Sequence, residues 1–347
     1  MITVIIAGGS GTRLWPLSTP AYPKHLLNLI GDVSLLRQAY ARAKRLGDTV
    51  YVVTESSHSD HVKEQLAEMP KENVLIEPGR RGTANCIIFA LDYISRHHDK
   101  DEPVAFVHSD HNIRDNEGYV RSFQLAANVS TDNKEIALIG IEPTYPATGF
   151  GYIERDGAID ADKGIYNVES FKEKPDFDTA RQYYESGNYL WNCGYFVAST
   201  NVFIEEIKNN APELMGSFEK LSSMSSFGSD EYNNEYLALD NQVIDIALIE
   251  KTKNLAVVSA SFDWMDVGSF KDLHSAVSSN EEGNYFQGNI YPIDVENVYV
   301  RNDEEKPVAV IGLDNVVVVN TPHGILVTRK SMSQRAGEVA KKIMAKE

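Results

Sequence analysis

Ile2 to Ile6 is apolar apart from Thr3, with no polar alternation, and the same texture returns at Thr49–Val53, Val74–Ile76, Val104–Val107 and Ile136–Ile141. Runs of this kind predict short strands buried on both faces. Between them the apolar positions open to helical spacing. Leu35, Leu36, Ala39, Tyr40 and Ala43 mark a helix from Ser34 to Leu46, stopped by Gly47. Further helices are expected from Ser57 to Ala67 and from Thr83 to Ser95. Strands alternating with helices predict an α/β fold with a parallel sheet covered on both faces, whose ligands bind at the carboxyl ends of the strands. The loops after Ala7, Ile76 and Val107 should therefore converge on one cleft.

The second half is less regular. Thr148–Glu154 and Val168–Lys174 read as strands flanking a turn rich in Asp and Gly, an antiparallel insertion expected over the cleft. A helix from Asp176 to Ser186 leads into the apolar run Leu190–Val197, followed by a mostly helical region to Ile249 and one more strand at Leu255–Val258. Asp263–Ser269 reads as a loop ahead of a helix. From about Asn284, short Val/Ile runs at 298–300, 308–311, 316–319 and 325–327 recur between Asn, Asp and Gly. That pattern predicts a β-rich module, a solenoid fragment closed by a charged helix from Ser333. The expected division is a large domain over 1–280 and the β-rich module with its terminal helix over 281–347.

Composition narrows the function. The 347 residues suffice for two domains, and 33 basic against 50 acidic side chains leave a net charge of −17. A general nucleic-acid or anionic-membrane surface would have to work against that field. Cys86 and Cys193 stand far apart in apolar surroundings, which argues against a disulfide framework or zinc knuckle and fits a reducing cytosol. No basic segment precedes the first apolar run, and no 18-residue apolar stretch follows, so a soluble cytoplasmic protein is expected.

Local positive charge in such a chain stands out. After the first strand comes Gly8-Gly-Ser-Gly-Thr-Arg-Leu-Trp-Pro-Leu-Ser18, then Pro23-Lys24. Gly8, Gly9 and Gly11 can turn sharply and present free N–H groups as an anion-binding concavity, and Arg13 and Lys24 add charge suited to a polyphosphate. The stretch lacks the Gly-Lys-Ser/Thr of a P-loop and has Leu14 where a dinucleotide fingerprint needs its third glycine. A glycine turn with solvated cations is the bland alternative.

His108-Ser-Asp-His111 follows a buried strand. Two histidines without a third ligand in register make a poor zinc site, whereas Asp110 at a strand's carboxyl end suits a Mg²⁺ ion shared with substrate phosphates. In Asp263-Trp-Met-Asp266 either carboxylate could supply the other metal ligand. Asp266, between Met265 and Val267, would cost energy if buried unpaired. Helix capping is the alternative for Asp110 and Asp266 alike. In Phe171-Lys-Glu-Lys-Pro-Asp176, alternation places Glu173 opposite Lys172 and Lys174; Lys174 could bind phosphate and Glu173 a sugar hydroxyl. Trp191-Asn192-Cys-Gly194 offers an apolar face and an amide, which suits a polyhydroxylated ligand and equally a packed core strand.

These stretches, with Gly149-Phe-Gly151, Glu173-Lys-Pro175 and Trp264-Met-Asp-Val-Gly268, occur in the order seen in sugar-1-phosphate nucleotidylyltransferases, and the chain most closely resembles the bacterial mannose-1-phosphate guanylyltransferases. The resemblance covers the chain to about residue 275, and the β-rich tail also looks like theirs. It implies a Rossmann-like, mostly parallel sheet of the nucleotide-diphospho-sugar transferase type, and transfer of GMP from GTP to mannose 1-phosphate with Mg²⁺. Residue by residue, Gly8, Gly9 and Gly11 would receive the nucleotide phosphates, and Arg13 and Lys24 would neutralise the transferring and leaving groups. Asp110 and Asp266 would hold Mg²⁺. Glu77 falls where relatives place a base-reading side chain, with Gly82 also nucleotide-binding. Gly151, Glu173, Lys174 and Asn192 would hold the sugar phosphate. Strand edges in the tail make it a candidate homodimer element. A nucleotidylyltransferase for another sugar 1-phosphate, a metal-dependent glycosyltransferase and a non-catalytic nucleotide-sugar sensor are the alternatives; the glycosyltransferase would have no use for Arg13 and Lys24 aimed at a departing pyrophosphate.

Overall fold

All six residues of the strand Ile2–Ala7 are buried, as a two-faced apolar run requires, and the strand pairs in parallel with Val50–Glu55 on one side and Pro103–His108 on the other. The structure is a computed structural model and describes residues 1–9, 11–277 and 279–345, so Ser10 of the glycine loop lies outside the described residues. Two compact units emerge: residues 1–7, 40–108 and 113–264 form the first, and residues 8–39, 109–112 and those from Met265 onward the second.

The first unit is built on a nine-stranded sheet in the order Val74–Glu77, Val50–Glu55, Ile2–Ala7, Pro103–His108, Tyr189–Ser199, Ile136–Ile141, Leu255–Ser259, Ile165–Lys172, Gly151–Asp160. Tyr189–Ser199 and Ile165–Lys172 run against the other strands. The sheet is thus mixed and mostly parallel, with a helix such as Gly82–His97 burying Ala84, Ile87, Ile88, Leu91 and Ile94 in the same core as the strands. The carboxyl ends of Ile2–Ala7, Val74–Glu77 and Pro103–His108 lie along one edge, as parallel pairing demands.

The two expected strands do pair antiparallel with one another, but the separate insertion over the cleft is corrected. Ile165–Lys172 pairs with Leu255–Ser259, and Gly151–Asp160 pairs with Tyr189–Ser199, so both strands extend the central sheet. Alternation announces a strand but not its distant partner. Among the described residues, no helix is long and apolar enough to cross a membrane.

In the second unit, Tyr285–Gln287, Tyr299–Asn302 and Val316–Thr321 stack in parallel, and so do Ile290–Ile293 and Val308–Ile311. Parallel stacking of successive coils is the solenoid geometry that the spaced Val/Ile runs predict. Gly324–Arg329 closes the stack in antiparallel fashion, and the helix Ala336–Met344 ends it. Leu14, Trp15 and Leu17, from the segment after the glycines, are buried in one core with Tyr299, Val317, Val319, Leu326, Ala336 and Ala340. Asp263–Ser269, expected as loop, instead contains the short strand Met265–Asp266, which pairs with His111–Asn112. Two residues are too few to show a period.

Candidate active site

The glycine loop leaves its strand and turns at Gly9 (φ +105°) and Gly11 (φ +57°), conformations open to glycine and costly for other residues. Gly11 also has no room for a side chain, because a Cβ there would lie 2.6 Å from the Lys24 backbone nitrogen. Ser18 Oγ donates to the Gly11 carbonyl and Leu14 N to the same oxygen at 3.1 Å, which fixes the turn. Gly8 and Gly9 face open space. Together with Gly11, Arg13, Lys24 and Asp110 they line a pocket of about 280 Å³.

At its floor Lys24, only 6% exposed, places Nζ 2.9 Å from Asp110 Oδ2 and 2.8 Å from Asp266 Oδ1. Antiparallel pairing of His111–Asn112 with Met265–Asp266 brings the two carboxylates together across the chain. Burial works against the Lys24 charge, but the two carboxylates outweigh it and hold its pKa above the ordinary lysine value. Burial likewise disfavours the Asp266 charge, and Lys24 outweighs it, so Asp266 sits below its ordinary value. Neither carboxylate is a helix cap. Asp115 caps Asn116–Asn133 and Ser269 caps Phe270–Ala276. Asp263, the other sequence candidate, accepts the backbone N–H groups of Arg114 (2.9 Å) and Asp115 (2.8 Å) in the first unit.

Asp110 and Asp266 each turn one oxygen onto a single positive charge, the Lys24 ammonium, which stands in for a cation between them. Two hard carboxylate oxygens suit Mg²⁺, which takes its remaining ligands from water and phosphate. Among the described residues, no group of three or more His, Cys, Asp or Glu could hold a metal ion. His108 belongs to the first unit and His111 to the second.

In the first unit, Glu77 ends its strand 7% exposed and accepts a hydrogen bond of 2.5 Å from Tyr236 Oη. Burial, only partly offset by that bond, raises its pKa. Gly82 opens its helix at φ +83°, where a Cβ would lie 2.1 Å from the Gln242 carbonyl oxygen. That glycine is therefore demanded by chain packing whatever else it meets.

Four further candidates gather in the same unit. Gly151 pairs with Asn192 across the sheet, and a Cβ on it would lie 2.7 Å from Glu173 Oε2. Lys174 Nζ is 2.5 Å from Glu173 Oε1. The expected alternation from Lys172 to Lys174 is corrected: the strand ends at Lys172 and Lys174 adopts φ +44°. Two residues that sequence reasoning missed complete the group. Asp245 Oδ1 accepts from Asn192 Nδ2 at 2.7 Å, and Glu250 Oε1 accepts from the Glu173 amide at 2.9 Å. Asp245 opens a π-helical turn, Asp245–Ile249, a conformation frequent at functional sites. Burial, and then the charge of Glu173, push it up to about 6. Its flanks, Ile244 and Ile246, give the same signal of a carboxylate among apolar neighbours that marks Asp266.

The nucleotidyl transferase family model matches residues 2–283, and that of the MannoseP isomerase/GMP-like beta-helix domain matches residues 288–343. The chain is 33% identical over 341 residues to a mannose-1-phosphate guanylyltransferase of Klebsiella pneumoniae, covering 96% of this chain and 72% of that one. It is likewise 33% identical to the xanthan biosynthesis protein XanB of Xanthomonas campestris, covering 99% of this chain and 73% of that one. A solved Thermus thermophilus structure, described as mannose-1-phosphate geranyltransferase, superposes with a TM-score of 0.87 at 25% identity, covering 99% of both chains. The chain belongs to the nucleotidyl transferase family, and within it to the mannose-1-phosphate guanylyltransferases.

Proposed function

We propose that the protein transfers GMP from GTP to mannose 1-phosphate, giving GDP-mannose and pyrophosphate. The observation that carries this reading is the buried Lys24 between Asp110 and Asp266 under a glycine loop with open space at Gly8 and Gly9. The loop's N–H groups and Arg13 receive the triphosphate. Asp110 and Asp266 hold Mg²⁺, which when bound supplies charge neutralisation and Lewis-acid polarisation of phosphoryl oxygens. Lys24 offers its ammonium to the transferring and leaving groups. Glu77 reads guanine by accepting from N1–H and the amino group, with Gly82 beside the nucleotide. Gly151, Glu173, Lys174 and Asn192 hold the sugar phosphate. Attack on the α-phosphorus is in line, and the acceptor phosphate, with a second pKa near 6, is largely dianionic at neutral pH, so no general base is required.

The same reading assigns catalysis to residues 1–280 and assembly as a homodimer to residues 281–347. It places the protein in the cytoplasm, in keeping with two free buried cysteines. Lys24→Ala, Asp110→Ala and Asp266→Ala should each lower pyrophosphate release by about 10²–10³-fold, roughly 3–4 kcal/mol, while far-UV circular dichroism stays native. Near-normal turnover in any of them rejects the role given to that residue.

A further inference from the structure

The helix Ala336–Met344 packs against the turn Thr12–Leu14 that follows the glycines. The residue at the contact is Gly337, where a Cβ would lie 3.5 Å from Arg13 Cγ, 3.6 Å from Arg13 Cα and 3.7 Å from Arg13 N. One atom fits there at ordinary van der Waals distance, and further atoms directed at Arg13 would press on its stem. At its far end Arg13 Nη1 is 3.2 Å from the position a Cβ would take on Gly268. The arginine is thus seated between two glycines about 70 residues apart in sequence, each bare where the side chain passes. Leu14, the next residue, is fully buried in the core that contains Ala336 and Ala340, which fixes the helix against the turn.

We propose that Gly337 is a positioning residue for Arg13, so that the C-terminal helix sets the aim of a catalytic cation as well as closing the β-rich module. The inference rests on the reading of Arg13 as a charge-neutralising group in the transfer. Gly337 has a helical backbone, so replacing it with a residue that has a side chain favours the helix by up to about 1 kcal/mol. A loss of activity then reports displacement of Arg13 and not loss of the helix.

The test is a graded series in the full chain, Gly337→Ala, Gly337→Ser and Gly337→Leu, with Arg13→Ala and the double variant Arg13→Ala/Gly337→Leu. Gly337→Ala should keep wild-type kcat, Gly337→Ser should lose part of it, and Gly337→Leu should lose about 10–100-fold with KM for mannose 1-phosphate within about twofold. The double variant should be no slower than Arg13→Ala alone, because the lost placement has nothing left to act on. Wild-type kcat in Gly337→Leu, or in Gly337→Ser and Gly337→Val should the leucine variant not fold, overturns the proposal. So does a double variant slower by the product of the single effects, which would mark a purely structural role. Normal turnover in Arg13→Ala would instead remove the role of Arg13 itself, and this inference with it.

Discussion

A lysine 6% exposed between two carboxylates is a costly arrangement unless something uses it. The directions of its pKa shifts fix where it is stable: charge pairing is lost as pH falls through the lowered Asp266 value or rises through the raised Lys24 value. Asp245 behaves in the opposite sense. Its folded pKa of about 6 exceeds the ordinary 3.8, so between these values the unfolded chain has released a proton that the folded chain retains. Stability therefore falls as pH rises from about 4 to 6, by about 3 kcal/mol at most, and levels off above. Asp245→Asn keeps an acceptor for Asn192 and removes the charge. Its urea midpoint should lack that decline, and a midpoint that tracks wild type across the window would contradict the assignment. Much at this scale was legible: Asp110 stands at a strand end, Asp266 in apolar company, and Lys24 adds positive charge near a glycine loop in an acidic chain. Asp245 shows only the signal of its Ile244 and Ile246 flanks, and Glu250 shows none, since a π-turn has no sequence period.

Secondary elements were legible wherever one physical signal sufficed. Ile2–Ala7 and Ile136–Ile141 are apolar throughout because both faces are covered, and their bounds follow from composition alone. Pairing partners were not, because register is set by residues a hundred positions away, as with Gly151–Asp160 against Tyr189–Ser199. The same limit applies to sheet edges. Gly324–Arg329 ends the four-stranded sheet with Ile325 and Val327 66% and 63% exposed. An apolar edge of this kind supports the homodimer reading. Ile325→Lys with Val327→Lys should halve the mass seen by light scattering toward the 38.7 kDa chain, and a wild-type protein already at that mass would reject it.

For the whole chain, the spaced Val/Ile runs foretold a parallel β stack, whereas the grouping of residues 8–39 with those after Met265 was invisible. That grouping depends on Leu14, Trp15 and Leu17 finding a core nearly 300 residues later, which no local pattern encodes. Its consequence is that the pocket beside the glycine loop is lined by residues from distant parts of the sequence, Gly8, Arg13 and Lys24 with Asp110, Val267 and Gly268. The most direct measurement is pyrophosphate release with Mg²⁺ across ATP, CTP, GTP and UTP, each paired with mannose 1-phosphate and glucose 1-phosphate. The account predicts release from GTP with mannose 1-phosphate and formation of GDP-mannose. Release confined to ATP or UTP would contradict the guanine assignment, and release with no pair would contradict nucleotidyl transfer itself.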